Sequence, residues 1–173
     1  DRDIMPNCAP AICLDEKYMD STQWPKRRKW RVESDFTNEQ ALKHVQELKD
    51  RADGQEVKTF VSGHWTLEYD LAYSGLSGET MEQSLITALA KISSPKDWEA
   101  EKDIIVAQIR QLQSKEEKAS YFYSFFTQGG ISKAEFSQEL ALELETRFIG
   151  KAAEIEEALP SYLVEAIKYV TGE

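Results

Sequence analysis

From residue 79 onward the chain repeats one pattern, apolar side chains at three- and four-residue spacing broken by glycine, proline or a capping hydroxyl. Met81, Leu85, Leu89 and Ile92 line the first stretch, Trp98, Ile105, Ile109 and Leu112 the second, and Tyr121, Phe122, Phe125 and Phe126 the third. Gly129-Gly130 closes the third helix. Ser132, with Glu135 three residues on, forms a capping box that opens a helix carrying Phe136, Leu140 and Leu144. Pro160 begins a last helix through Leu163, Ile167 and Val170. Everything after residue 78 therefore reads as helical, with no internal repeat and no low-complexity segment.

The first part of the chain is different. Residues 1 to 34 read as loop, with Pro6, Pro10 and Pro25 interrupting any helical pattern. Thr37 and Gln40 make a capping box for a helix with Ala41, Leu42, Val45 and Leu48, stopped by Asp53-Gly54. The run Val57-Lys58-Thr59-Phe60-Val61-Ser62 reads as a short apolar strand, and after Gly63-His64-Trp65 a helix opens at Thr66, whose hydroxyl can cap it. Loop, helix, strand, helix is the order of part of an α/β sheet with crossover connections.

At 173 residues, 41% hydrophobic and 10% aromatic, the chain is long enough for a globular domain with a core. No apolar run approaches the roughly 20 residues of a membrane span and no signal peptide opens the sequence, so a cytoplasmic protein without membrane contact is expected. Cys8 and Cys13 lack zinc-site spacing and are expected as free thiols. A net charge of −10 argues against a general nucleic-acid binder. It leaves room for a nuclease, which needs carboxylates for metal and only a local basic strip for phosphates.

Five features can carry chemistry. Asp1 and Asp3 lie on the same side of an extended segment, where two carboxylates can hold one divalent cation; the same pair also suits an exposed turn. Glu68 falls in the first turn of the helix after the strand, a place the helix dipole favours for an acid in any case. Asp70, about 200° further round that helix, cannot face the same metal and reads as structural or supporting; His64 reads as turn-filling or as a phosphate contact. Lys133 sits at the first position of a helix, where a cation opposes the dipole, so it is either a solvated lysine or one placed for a purpose. Lys26, Arg27, Arg28, Lys29 and Arg31, flanked by Trp24 and Trp30, suit either a DNA backbone or an acidic partner surface.

Three stretches together carry a resemblance: Asp1-Arg2-Asp3-Ile4-Met5-Pro6, Thr66-Leu67-Glu68-Tyr69-Asp70-Leu71, and Lys133-Ala134-Glu135-Phe136 with Leu140-Ala141. They resemble the C-terminal part of the Toprim (topoisomerase-primase) nuclease domain of the OLD (overcoming lysogenization defect) family of ATP-dependent endonucleases. The likeness covers residues 1 to 6, about 57 to 76, and 129 to the end, and is weak from 79 to 128. It implies an α/β fold, a Toprim portion over residues 1–78, a helical insertion over 79–128 and a helical C-terminal part over 129–173. It also implies two-metal hydrolysis of DNA with Mg²⁺ or Mn²⁺ held by Asp1, Asp3 and Glu68. Lys133 is then the catalytic lysine, and Ala134 stands where the family commonly has glycine.

The family's first acidic motif and its phosphate-binding loop are absent from the sequence, so the chain reads as a fragment. On this reading it works with an N-terminal ATPase that binds ATP and with the first half of the Toprim domain. The implied setting is homo-oligomeric and concerned with phage defence or DNA processing. The competing expectations are a non-enzymatic, acidic, α-rich interaction module, or a Toprim fold with primase or topoisomerase chemistry. For the last, Tyr69, Tyr73 and Tyr162 offer no marking motif.

Overall fold

The computed structural model describes residues 4–9, 31–51, 58–128 and 130–172. Asp1, Asp3, Cys13 and the basic residues Lys26, Arg27, Arg28 and Lys29 lie outside them; of Arg31 only the backbone is described. Two strands of two residues each, β1 (Ile4–Met5) and β2 (Arg31–Val32), pair in parallel with Ile4 opposite Arg31. A single 3₁₀ turn, Glu33–Asp35, follows, in which the Asp35 carboxylate accepts from the Val32 amide at 2.9 Å. Helix α1 (Asn38–Asp50) carries the expected capping box: the Thr37 hydroxyl accepts from the Gln40 amide, and the Gln40 side chain accepts from the Thr37 amide. It ends before Asp53-Gly54 and buries none of its residues.

Of the strand expected over 57–62, residues 58–62 are described, and they form no strand. A strand exists only where a neighbour completes its ladder, and an apolar alternating run supplies the side chains but not that neighbour. The α/β expectation survives in its helical part alone, because the sheet among the described residues is the β1–β2 pair.

Seven further helices follow: α2 (Leu67–Gly75), α3 (Glu79–Ser93), α4 (Trp98–Gln111), α5 (Lys115–Thr127), α6 (Lys133–Arg147), α7 (Ala152–Ala158) and α8 (Ser161–Thr171). α3 is the axis of the molecule. Every residue from Ser84 to Ala90 is buried, as expected of a helix covered on all sides, and α2, α4 and α6 pack against it. Its two buried hydroxyls are of small side chains, and Ser84 returns a hydrogen bond to the Thr80 carbonyl one turn back. At its C-terminal end the Lys91 ammonium binds Glu139 (2.5 Å) and Glu143 (2.7 Å) of α6, while Arg147 holds the other oxygen of Glu143.

The second helix pair is α2 with α5. Phe122 and Phe126 of α5 meet Phe136 of α6 in edge-on contacts at 5.7 and 5.1 Å, which draws the start of α6 against α5. Met5, Ala9 and Val32 belong to the same apolar cluster, so the strand pair leans on the helices. Three features escaped the sequence reading: the β1–β2 pair, within residues read as loop; α7, whose seven residues contain one large apolar side chain; and the Ser114–Glu117 capping box of α5.

Gly75 ends α2 where α3 crosses it. A β-carbon built there would come within 2.4 Å of Met81 Cγ and 2.8 Å of Leu85 Cδ1. Alanine gains at most about 1 kcal/mol of helix propensity, whereas forcing the two side chains aside costs about 1–3 kcal/mol. Gly75→Ala should therefore lower stability by about 1–2 kcal/mol in denaturant unfolding, and Gly75→Val by more.

Candidate active site

The turn before α2 is built on a buried carboxylate. Asp70, 1% exposed, accepts from three successive backbone amides: Gly63 at 2.7 Å, His64 at 3.2 Å and Trp65 at 3.0 Å. Three amides around one carboxylate replace the water it has lost. Ser62 donates to the Trp65 carbonyl at 2.7 Å and the Thr66 hydroxyl caps the helix through the Tyr69 amide, so every residue of the turn is tied. Asp70 is structural, in agreement with its angle to Glu68. His64 stacks on Tyr73 at 3.9 Å between ring centres, and Tyr73 donates to Glu116 at 3.1 Å.

Glu68, two residues into α2, is turned away from that turn. Its carboxylate is 8% exposed, and Oε2 lies 2.7 Å from the Nζ of Lys133, the first residue of α6, which is 46% exposed. Two residues 65 positions apart, each singled out in the sequence for a different reason, thus form one ion pair. Burial pulls the lysine pKa down, but the hydrogen bond that Lys133 donates to Glu68, with the further interactions with Tyr123 and Glu68, including a hydrogen bond to Tyr123, outweighs this, and the net shift is upward. The ammonium also lies over the ring of Tyr123, 5.3 Å from its centre. Burial, with the charges of Asp70 and Glu68, raises the hydroxyl pKa of Tyr162 on α8.

Among the described residues no group of three or more His, Cys, Asp or Glu side chains is placed to hold a metal ion. Of the two acids in the first turn of α2, Glu68 keeps an oxygen of the kind Mg²⁺ and Mn²⁺ prefer, since both oxygens of Asp70 are engaged by amides. Asp1 and Asp3, which directly precede β1, lie outside the described residues, as does the basic strip apart from the backbone of Arg31 in β2. Cys8 is a free thiol 3.3 Å from the Ser120 hydroxyl, with its pKa pushed up by burial. Among the described residues no helix is long and apolar enough to cross a membrane.

Tyr123 and Trp65 are the site residues that the sequence reading missed. Tyr123 sits inside an aromatic run whose other members are core, and nothing in its spacing separates it from them. The ring of Trp65, 4.5 Å from that of Tyr123, is held through the same amide that Asp70 binds.

Asp70→Asn should lower stability by about 2–4 kcal/mol in denaturant unfolding, because one carboxylate oxygen is replaced by an NH₂ facing amide donors and hydrogen bonds to charged groups contribute about 1.5–3 kcal/mol each. Lys133→Met should show a stability deficit that is constant across neutral pH. A raised lysine pKa contributes stability fully below the ordinary value of 10.5 and loses it as pH climbs through the folded value. The deficit should therefore shrink only at alkaline pH, as followed by unfolding midpoints against pH.

Compared with protein-family models, with curated protein sequences and with solved structures, the chain finds no match.

Proposed function

We propose that this chain carries the Glu68–Lys133 half of a Toprim-type, divalent-metal-dependent DNA nuclease centre of the OLD kind. The observation that carries this reading is the 2.7 Å contact between Glu68 and Lys133. The resemblance assigns them to one reaction on two separate motifs, and a chance likeness has no reason to bring them together. In this reading Glu68 is a metal ligand, joined by Asp1 and Asp3, and the Lys26–Arg31 strip contacts the DNA backbone. The metal, when bound, supplies an activated water and neutralises the leaving oxygen. Lys133 offsets negative charge building on the scissile phosphate, a service that preorganised cations perform best in a partly desolvated site. Its raised pKa keeps it charged throughout the neutral range. DNA is the substrate in this reading, and the centre works with the N-terminal ATPase and the first half of the Toprim domain of the parent protein.

The second reading, an acidic interaction module, is favoured by Ile149, Ile167, Tyr169 and Val170, large apolar side chains that stand exposed near the C-terminus. In that case the ion pair only joins α2 to α6.

Cleavage of DNA by the intact protein separates the two. The nuclease reading expects cutting with Mg²⁺ or Mn²⁺ and none with chelator. Glu68→Gln should reduce it by a factor of about a hundred or more, the scale of losing one electrostatic contributor in an active site, with a normal melting transition. A Glu68→Gln protein that melts normally and cuts at the parent rate removes Glu68 from the metal, and an intact protein that never cuts favours the interaction module.

A further inference from the structure

We infer that Tyr123 is a positioning residue for Lys133, its ring acting as a neutral shelf that keeps the ammonium in place when Glu68 is engaged elsewhere. This rests on the nuclease reading for its consequence in catalysis, though not for its geometry. Lys133 is nearly half exposed and its long chain carries rotamer freedom that must be restrained if the charge is to sit at one point. Glu68 restrains it in the structure as it stands. A carboxylate that also serves a metal is a poor permanent partner, because every bond it gives to the ammonium it withholds from the cation.

The ring of Tyr123 has no such conflict. It attracts the ammonium through its π-face without neutralising it, so the charge stays available to a phosphate. The separation of 5.3 Å is within the range for this interaction. The shelf itself is rigid. Tyr123 is 7% exposed, and its ring is held by Trp65 at 4.5 Å and Phe126 at 5.9 Å. Trp65 is fixed in turn by the Asp70 carboxylate through its amide. A line of contacts thus runs from the buried acid of the α2 turn, through two aromatic rings, to the catalytic cation on α6. Tyr123 belongs to the 79–128 segment, where the likeness to the nuclease family is weakest, so no motif points to it.

The test uses the intact protein with Tyr123→Phe, Tyr123→Leu and, as a second non-aromatic side chain that fits irregular space, Tyr123→Met. The first readout needs neither metal nor DNA: the rate of reductive methylation at Lys133, by peptide mass spectrometry, with Lys91 as the internal control for folding. Leu should speed labelling of Lys133 by about fivefold, the factor matching a cation–π contact of ~1 kcal/mol, with Lys91 unchanged, and Phe should restore the slow rate. If Leu also speeds Lys91, the Met protein decides by the same comparison. The second readout is single-turnover cleavage at saturating DNA with Mg²⁺. Leu should slow it by at least the same factor while the equilibrium affinity for DNA holds, and Phe should recover it. Labelling of Lys133 at the parent rate in a folded Leu or Met protein overturns the assignment. So does a Phe protein that behaves like Leu, which would place the effect in the hydroxyl. A parent that does not cleave DNA removes the nuclease reading alone, since labelling still decides whether the ring holds the lysine.

Discussion

A carboxylate buried without a cation must find its compensation in the backbone, and the turn before α2 is the shape that results. Asp70 takes the amides of Gly63, His64 and Trp65 at once, which curls residues 63–65 around the first turn of the helix and leaves the chain one way to enter it. The consequences travel outward from there. Thr66 is set to cap, Trp65 is set to meet Tyr123, and Glu68, two positions before Asp70, is directed to the opposite side of the helix toward α6. An acid at either position would satisfy the helix dipole. Only the pair, one folded back on the turn and the other reaching outward, both closes the loop and presents a charge.

That outward charge needs α6 to be in place, and α6 is located by packing rather than by electrostatics. Phe122 and Phe126 seat Phe136, while Lys91 at the end of α3 grips Glu139 and Glu143 two turns further along. With the helix pinned at both points, Lys133 is delivered to Glu68 as a by-product of the core. Buried ion pairs often contribute little net stability, since desolvation consumes most of the attraction. The fold therefore gains little from the Glu68–Lys133 contact that an apolar pair could not supply.

The helical half of the molecule was legible because each element carries its own signal. α3, α4, α5 and α6 appear where periodicity puts them; the Thr37–Gln40 box of α1 forms as expected, and Ser132 caps α6 through the Glu135 amide. The strand expected over 57–62 failed for the opposite reason: strand identity is a property of two segments, and one apolar alternating run cannot announce its neighbour, so the described residues 58–62 form no strand. The β1–β2 pair escaped for the same cause, being two residues long on each side. At the site, helix angle left Asp70 as structural or supporting, and its carboxylate is engaged by three backbone amides. Glu68 and Lys133 were found by resemblance and by a charge set against a dipole, but their contact is tertiary and no local pattern encodes it. Tyr123 was hidden by composition, since an aromatic residue among aromatic residues looks like core.

The charge balance around the pair bears on what it can hold. Glu68 is the second residue of α2 and Lys133 the first of α6, so two helix N-termini, each with a partial positive charge, meet where the side chains touch. The Glu68 carboxylate faces one ammonium and two helix starts, with Asp70 and Glu135 as further acids in the same first turns. Helix starts of this kind attract anions. A divalent cation is not welcome without further acids. The nuclease reading therefore depends on carboxylates arriving from outside α2 and α6, because Asp70 is committed to its amides. In the sequence those acids stand at Asp1 and Asp3, immediately before a strand whose residues Ile4 and Met5 are packed into the protein interior. In the nuclease reading Lys133 serves the phosphate, and Glu68 joins Asp1 and Asp3 at the metal.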